Sequence, residues 1–517
     1  MSTGKLWGVG LGPGDPELLT VKAARLIGEA DVIAYHSARH GRSIARSVAE
    51  PYLRAGQIEV AMIYPVTTET TEHPGGYEGA ITEFYARSAE QLAEHLDAGR
   101  DVAVLCEGDP FFYGSYMYMH ERLADRYEAE AVPGVTSVSA ASAVLGRPLV
   151  QRDEVLTILP GTLPAPELAR RLADTESATV LKLGRTFGSV RDALVDAGKL
   201  NDAWYVERAT WEKQRIEPFA AVDAASVPYF SLAVVPSPAY AARAAGLSVK
   251  HAAVAKPALT PAVDENVESI AGEVVVIGLG PAGPQWLTPE ADVELGKAEH
   301  LVGYGPYLAR VPQRAGQQRH ASGNRVEAER AVQALELAAG GARVAVVSSG
   351  DPGVFAMASA VLEQVEHEEW SGVSVRVVPG VTAAQAAAAK VGAPLGHDYC
   401  VLSLSDRLKP WSIIERRLDA AGAADLVLAL YNPASHTRTT QLALAQEVLL
   451  RHRKPETPVV IARDIGGADE SVRVVTLGEL HSSSVDMRCL LIVGSSRTRV
   501  AARAGGAPMV WTPRRYQ

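Results

Sequence analysis

The chain has 517 residues, 50 Lys+Arg against 60 Asp+Glu, and three cysteines. At about 100–200 residues per domain, this length predicts roughly three or four domains. A 47% apolar and 21% charged composition excludes wholesale disorder, and a net charge of −10 argues against a dedicated nucleic-acid binder while leaving room for a local basic pocket.

The N-terminus, Met1 to Trp7, lacks the apolar core of a signal peptide, and no stretch approaches the roughly 20 apolar residues of a membrane helix. The expected location is the cytoplasm, with no membrane partner. Cys106, Cys400 and Cys489 stand far apart, form no C-x-x-C pair and have apolar neighbours. They predict buried, reduced thiols rather than a zinc site or a disulfide framework.

In chain order, a short apolar strand (Leu6 to Val9) feeds a glycine turn and then a helical stretch (Leu18 to Ala30). A strand follows from Asp31 to Tyr35, and after a further helix comes the strand Val102 to Cys106 with the turn Gly108-Asp109-Pro110. Val132-Pro133-Gly134-Val135-Thr136 then opens an Ala/Ser-rich helix. The strand Thr179 to Leu183 begins a second portion. From Pro236 to Ala271 the chain turns Ala/Pro-rich, which predicts a linker.

Beyond the linker the pattern repeats. Gly10, Gly12, Pro13, Pro16, Leu19 and Thr20 return as Gly278, Gly280, Pro281, Pro284, Leu287 and Thr288. Gly108-Asp109-Pro110 returns as Gly350-Asp351-Pro352. Residues 132–149 and 378–395 are identical at eleven of eighteen positions. Two copies are too few for a solenoid. They predict two homologous α/β units with mostly parallel sheets, each of two sub-domains, at 1–240 and 272–517 with a linker at 241–271.

Gly278-Leu279-Gly280-Pro281-Ala282-Gly283 fits a dinucleotide fingerprint after a strand, and an NAD-dependent oxidoreductase is the alternative reading. Three features oppose it. Asp15 stands where Gly283 does, Pro281 removes an amide from the loop, and the next strand does not end in an acid. No Ser/His/Asp triad, H-E-x-x-H or zinc spacing occurs, which points to chemistry done by aligning reactants. The Gly-Asp-Pro turns follow apolar strands, where open α/β sheets bind ligands, and their recurrence favours ligand contact over plain turns. Thr136, Ser137 and Thr382 read as helix N-caps or as hydroxyls offered to a ligand.

Together these blocks resemble the class III, or tetrapyrrole, methyltransferases, over nearly the whole chain except the linker. Tyr113-Gly114-Ser115, Leu181 to Arg185 and Glu207-Arg208-Ala209-Thr210 are similar to precorrin-2 C-20 methyltransferases. Leu430 to Ser435 and Thr512 to Tyr516 are similar to precorrin-3B C-17 methyltransferases, which contract the ring. The resemblance implies a bifunctional enzyme of cobalamin biosynthesis, with S-adenosyl-L-methionine bound between the sub-domains of each copy and no metal. A copy that has lost activity is a further alternative.

The implied donor-binding positions are Pro13, Gly108, Asp109, Thr136, Ser137 and Arg208, then Pro281, Gly350, Asp351, Thr382, Tyr431, Asn432 and Asp464. Glu107 and His36 are candidate proton acceptors in the first copy. Asp351, His397 with Asp398, and His436 are candidate acid–base groups in the second. Arg39, Arg42 and Arg46, with His40, form one basic cluster; Arg310, Arg314, Arg319, His320 and Arg325 form its counterpart. From these, Arg39, Arg42, Arg46, Arg319 and Arg325 are the expected contacts for the carboxylates of a tetrapyrrole. The expected assembly is a homodimer or a pairing of the two halves within one chain.

Overall fold

Apolar strands with buried faces need cover on both sides, and each half begins by building such a sheet. In the first half the order is Ile58–Ile63, Val32–Ser37, Val102–Cys106, Leu6–Gly10 and Ala129–Val132, all parallel. In the second half it is Gln318–Ser322, His300–Tyr304, Arg343–Ser348, Glu273–Gly278 and Ser374–Val378, again all parallel. These are the two flanking sheets. The computed structural model describes residues 3–38, 43–65, 71, 73–150, 154–236, 272–323, 326–365, 367–370, 372–407, 409–435, 438–502 and 508–513. The expected linker, Arg39, Arg42, Arg325, His436 and the Arg514 to Tyr516 tail lie outside the described residues.

The second portions of the two halves are not separate. They form one ten-stranded sheet, joined where Tyr399, Cys400 and Val401 pair antiparallel with Ile158, Thr157 and Leu156. Outward from this junction the first half contributes Leu156–Pro160, Ser177–Leu181, Ser231–Val235, Trp204–Glu207 and Arg215–Pro218. The second contributes Tyr399–Ser403, Val427–Tyr431, Cys489–Val493, Pro458–Arg463 and Ser471–Thr476 in the matching order. Only the innermost pair on each side is parallel. An unpaired edge is a template for aggregation, and here the two innermost edges cover each other. Leu156, Ile158, Tyr399 and Val401 are accordingly at most 4% exposed.

The halves also exchange helices. Ser137–Leu145, capped by Thr136, packs against the second half's strand Ser374–Val378. Ala383–Val391, capped by Thr382, packs against the first half's strand Ala129–Val132. The alanines of both helices allow this close approach, and Ala140, Ala141 and Ala386 to Ala388 share one core cluster. A backbone bond of 3.0 Å from Val21 N to Leu287 O links the two glycine-motif regions. Near the C-terminus, Trp511 packs against the first half's core. All three cysteines are buried and unbridged. No described helix is long and apolar enough to cross a membrane.

Candidate active sites

In each half the glycine loops at the carboxyl ends of the flanking sheet mark a candidate cleft facing the shared sheet. In the first half, Gly12 (φ +74°) and Gly108 (φ +67°) meet across the strand ends Leu6–Gly10 and Val102–Cys106. The Gly12 amide donates to Gly108 O at 3.2 Å, and the Gly108 amide donates to Gly12 O at 2.7 Å. Gly280 and Gly350 repeat the rung in the second half, at 3.2 and 2.8 Å. A Cβ on Gly108 would meet nothing within 4 Å, so the loop leaves an open cradle beside its backbone. In the second half the rung takes up the Gly280 amide that a dinucleotide pyrophosphate would need, and a short 3-10 turn, Pro284–Trp286, precedes the next helix.

Asp109 and Asp351 brace these loops. Asp109 accepts from Phe111 N at 2.9 Å and Gly134 N at 3.2 Å, using both oxygens. Asp351 accepts from Gly353 N at 2.9 Å and Gly380 N at 3.1 Å. Each therefore ties the Gly-Asp-Pro turn to the Val-Pro-Gly-Val-Thr turn. Burial pushes Asp109 up to about 7 and Asp351 up to about 6, against the pull of these amides. The two threonines act as caps: Thr136 accepts from Ser139 N at 3.3 Å, and Thr382 from Gln385 N at 3.2 Å. Ser137 is the first residue of its helix. Pro13 O accepts from Trp211 Nε1 at 2.7 Å, and Thr210 Oγ1 accepts from Asp15 N at 3.2 Å. These two bonds span the cleft from flanking sheet to shared sheet. Pro281 O lies 3.5 Å from Ser349 Oγ.

Backbone strain marks the same cleft in both halves. Tyr113 (φ +55°) is matched by Phe355 (φ +52°), and Lys182 (φ +62°) by Asn432 (φ +50°). Arg208 (φ +48°) is matched by Asp464 (φ +50°), and Thr210 (φ +72°) by Gly466 (φ +80°). Lys182, Asn432, Arg208 and Asp464 each directly follow a strand of the shared sheet. Left-handed non-glycine residues cost about 1–3 kcal/mol each and gather at functional sites. Arg208, Asn432 and Asp464 are expected site positions, whereas nothing in the sequence marks the conformation of Lys182, Tyr113 or Phe355, whose side chains do not favour it.

The walls differ between the halves. In the first, Glu107 is solvent-accessible but closely surrounded by protein, as on a cleft wall. Its Oε1 accepts from Ala45 N at 3.1 Å, and desolvation by the protein packed around it holds its carboxyl above the usual range although the side chain is solvent-accessible. His36 stacks on Tyr64 at 5.3 Å, and its Nε2 is buried with no hydrogen-bond partner among the described residues. Burial pushes His36 down to about 4, so its imidazole is neutral. Tyr64 O–H lies 2.6 Å from Ser115 Oγ. In the second half Ser349 occupies the position of Glu107, and Arg310 Nη1 donates to it at 3.0 Å. Arg310 also donates to Leu279 O at 3.1 Å and Gly280 O at 2.8 Å, while its Nε is buried with no partner among the described residues.

Tyr431 packs on Phe355 at 5.5 Å, and its hydroxyl accepts from Ala384 N at 3.2 Å. Asn432 Nδ2 donates to Ser403 Oγ at 3.0 Å. Asp464 accepts from Asp469 N at 3.1 Å. Arg208 pairs with Glu207. Other expected residues are occupied elsewhere. Arg46 pairs with Glu59 at 3.0 Å and Glu50 at 3.2 Å. Arg319 donates to Leu308 O, Val311 O and Pro312 O, at 2.7–2.8 Å, and so braces a helix end. His397 lies 3.5 Å from Asp398, and Asp398 is held by Arg171 and Tyr113 of the first half. The pair thus faces the first half's loop; the sequence placed it near second-copy motifs only because the antiparallel junction is not visible in one dimension.

Known proteins resemble both the whole chain and its parts. The chain is 58% identical over 517 residues to "Cobalamin biosynthesis protein CobIJ" of Mycobacterium bovis, covering 99% of this chain and 96% of that protein. It is 51% identical over 237 residues to "Precorrin-2 C(20)-methyltransferase" of Sinorhizobium sp, covering 46% of this chain and 96% of that protein. It is 47% identical over 247 residues to "Precorrin-3B C(17)-methyltransferase" of the same source, covering 47% of this chain and 97% of that protein. The profile of the Tetrapyrrole (Corrin/Porphyrin) Methylases matches residues 5–224 and again 273–481, and the chain therefore belongs to that family.

Proposed function

We propose that this chain is a bifunctional C-methyltransferase of cobalamin biosynthesis that uses S-adenosyl-L-methionine. The first half, 1–240, methylates precorrin-2 at C-20; the second, 272–517, methylates precorrin-3B at C-17 with contraction of the ring. The carrying observation is the duplicated cleft, with the same glycine rung, aspartate brace and strained strand ends in each half. Full-length similarity to a cobalamin biosynthesis protein supports it.

The open cradle at Gly108 suits a ligand pressed against backbone. When bound, the donor supplies an electrophilic methyl on a sulfonium. The chain's own work is to fix donor and acceptor in line, exclude water and take up a proton. Alignment alone is worth effective molarities of about 10⁵ M or more.

In the first half, Glu107 is the proton acceptor, since its raised carboxyl pKa brings its proton affinity closer to neutrality. Neutral His36, with its Nε2 buried and unpartnered among the described residues, supplies a further candidate acceptor nitrogen. In the second half, Ser349 and Arg310 replace this acid by a hydroxyl and a cation. Arg310, with an unpartnered Nε, is better placed than Arg319 to meet a substrate carboxylate. The test is mass spectrometry of the products from precorrin-2 and S-adenosylmethionine, with and without the intervening oxygenation. Tetrapyrrole carrying one and then two added methyl groups is expected. Absence of any methylated product refutes the reading.

A further inference from the structure

The first half's Gly-Asp-Pro loop is held from the second half. Asp398, on the second half, is 2% exposed and accepts from Arg171 and from the Tyr113 hydroxyl, the latter at 3.5 Å. Its neighbour Tyr399 meets Phe112 edge-to-face at 5.9 Å. Tyr113 is itself strained, with φ +55°, and Lys182 Nζ lies 4.4 Å from the centre of its ring. Lys182 is strained too, at φ +62°. The strained Tyr113 thus reaches, through its hydroxyl, a carboxylate that the first half does not contain, while Lys182 contacts only the Tyr113 ring. The second cleft is buttressed in return, but by different chemistry. A Cβ on Gly353 would lie 2.9 Å from Ser142 Oγ, and Val354 bridges Val150. Phe355, the counterpart of Tyr113, has no hydroxyl and rests on Tyr431 of its own half.

We infer that Asp398 is a positioning residue for the first half's methyl transfer: by holding the Tyr113 hydroxyl across the junction, it fixes the loop that shapes the first donor site. The inference rests on the methyltransferase reading above for its assay. Asp398 touches neither cradle glycine, so it acts through Tyr113. The 3.5 Å hydroxyl contact to Asp398 and the Lys182 ammonium over the ring together constrain the Tyr113 side chain, whose backbone sits at φ +55°. The effect should fall on donor binding rather than on proton uptake, because Glu107 lies on the other side of Gly108 from the tethered turn.

The test uses the full chain. Tyr113→Phe removes one hydroxyl and leaves the ring. The donor KM of transfer to precorrin-2 should rise about fivefold to tenfold, with kcat within about twofold and second-half transfer to precorrin-3B unchanged. Asp398→Asn, a substitution in the second half, should give the same first-half defect. The double variant should be no worse than the poorer single variant, since both remove one interaction. If Asp398→Asn also lowers the melting temperature, Tyr113→Phe decides. An unchanged donor KM in Tyr113→Phe, additive effects, or a loss confined to the second half overturns the inference. Calorimetric titration with S-adenosylhomocysteine reads the same property without a tetrapyrrole. One weakened site of two supports the inference; two unchanged sites overturn it, whatever the acceptor proves to be.

Discussion

Gly108→Ala separates the cradle from the scaffold. A methyl group there meets nothing within 4 Å, so the folded chain bears only the cost of placing alanine at φ +67°. That cost is about 1–2 kcal/mol, or a few degrees at most in melting temperature for a chain of this size. The same methyl projects into the space assigned to the donor. Gly134→Ala is the control. Its Cβ would sit 2.1 Å from Gly108 O, a backbone atom, so the rung and the Asp109 brace must open. Gly134→Ala should cost several kcal/mol, in the range of core overpacking or worse. Thermal melting and S-adenosylhomocysteine calorimetry on both variants check the pair. Gly108→Ala should melt near the parent and lose at least about tenfold in affinity at one of two sites, which is about 1.4 kcal/mol. Parent-like binding in Gly108→Ala would refute the placement of the donor beside the Gly12–Gly108 rung.

Glu107→Gln should lower first-half transfer about 10²- to 10⁴-fold and spare the second half, and in the parent the acid limb of the first-half pH profile should lie above the ordinary carboxylate range. A Gln variant with parental kcat would assign Glu107 to capping Ala45 N alone. Asp109 and Asp351 have folded pKa values near 7 and 6, above their unfolded values, so the protonated folded state is favoured. Their contribution is fully present below about pH 4 and is lost as pH rises through 6 and 7. Neutralising one of them as Asp351→Asn should therefore flatten the fall in urea stability between about pH 4 and 6, and an unchanged slope there would count against the burial argument. Each half expressed alone should self-associate through its freed inner strand, Leu156–Pro160 or Tyr399–Ser403; a monomer by light scattering would contradict the role of the junction.

Local signals carried the order of elements well. Val102 to Cys106 is a buried parallel strand, the Thr136 and Thr382 helices begin where their caps predict, and the repeated blocks do mark two equivalent units. What one dimension could not carry was partnership across distance. Nothing near Asp109 in the sequence names Gly134, 25 residues on, as the donor to its carboxylate. Arg319 reads as a free cation until three carbonyls are found around its guanidinium. Leu156 to Pro160 reads as any apolar strand, and nothing in it names Tyr399 as its neighbour. The left-handed sites were half legible. Asn432 and Asp464 are residue types that tolerate that conformation, whereas Lys182 and Arg208 are not.

The exchanged helices bear on how a duplicated chain is free to change. An enlarged side chain on the packed face of the helix Ala383–Val391 presses on the strand Ala129–Val132, which belongs to the opposite copy. A change that suits one reaction is thereby judged by the other, and both copies of this segment are held to small residues. The strand-end positions carry no such double duty. There the copies have parted company: Glu107 against Ser349, Lys182 against Asn432, Arg208 against Asp464. The architecture thus sorts its own positions into those that answer to both halves and those that answer to one, and the strand-end differences fall in the second set.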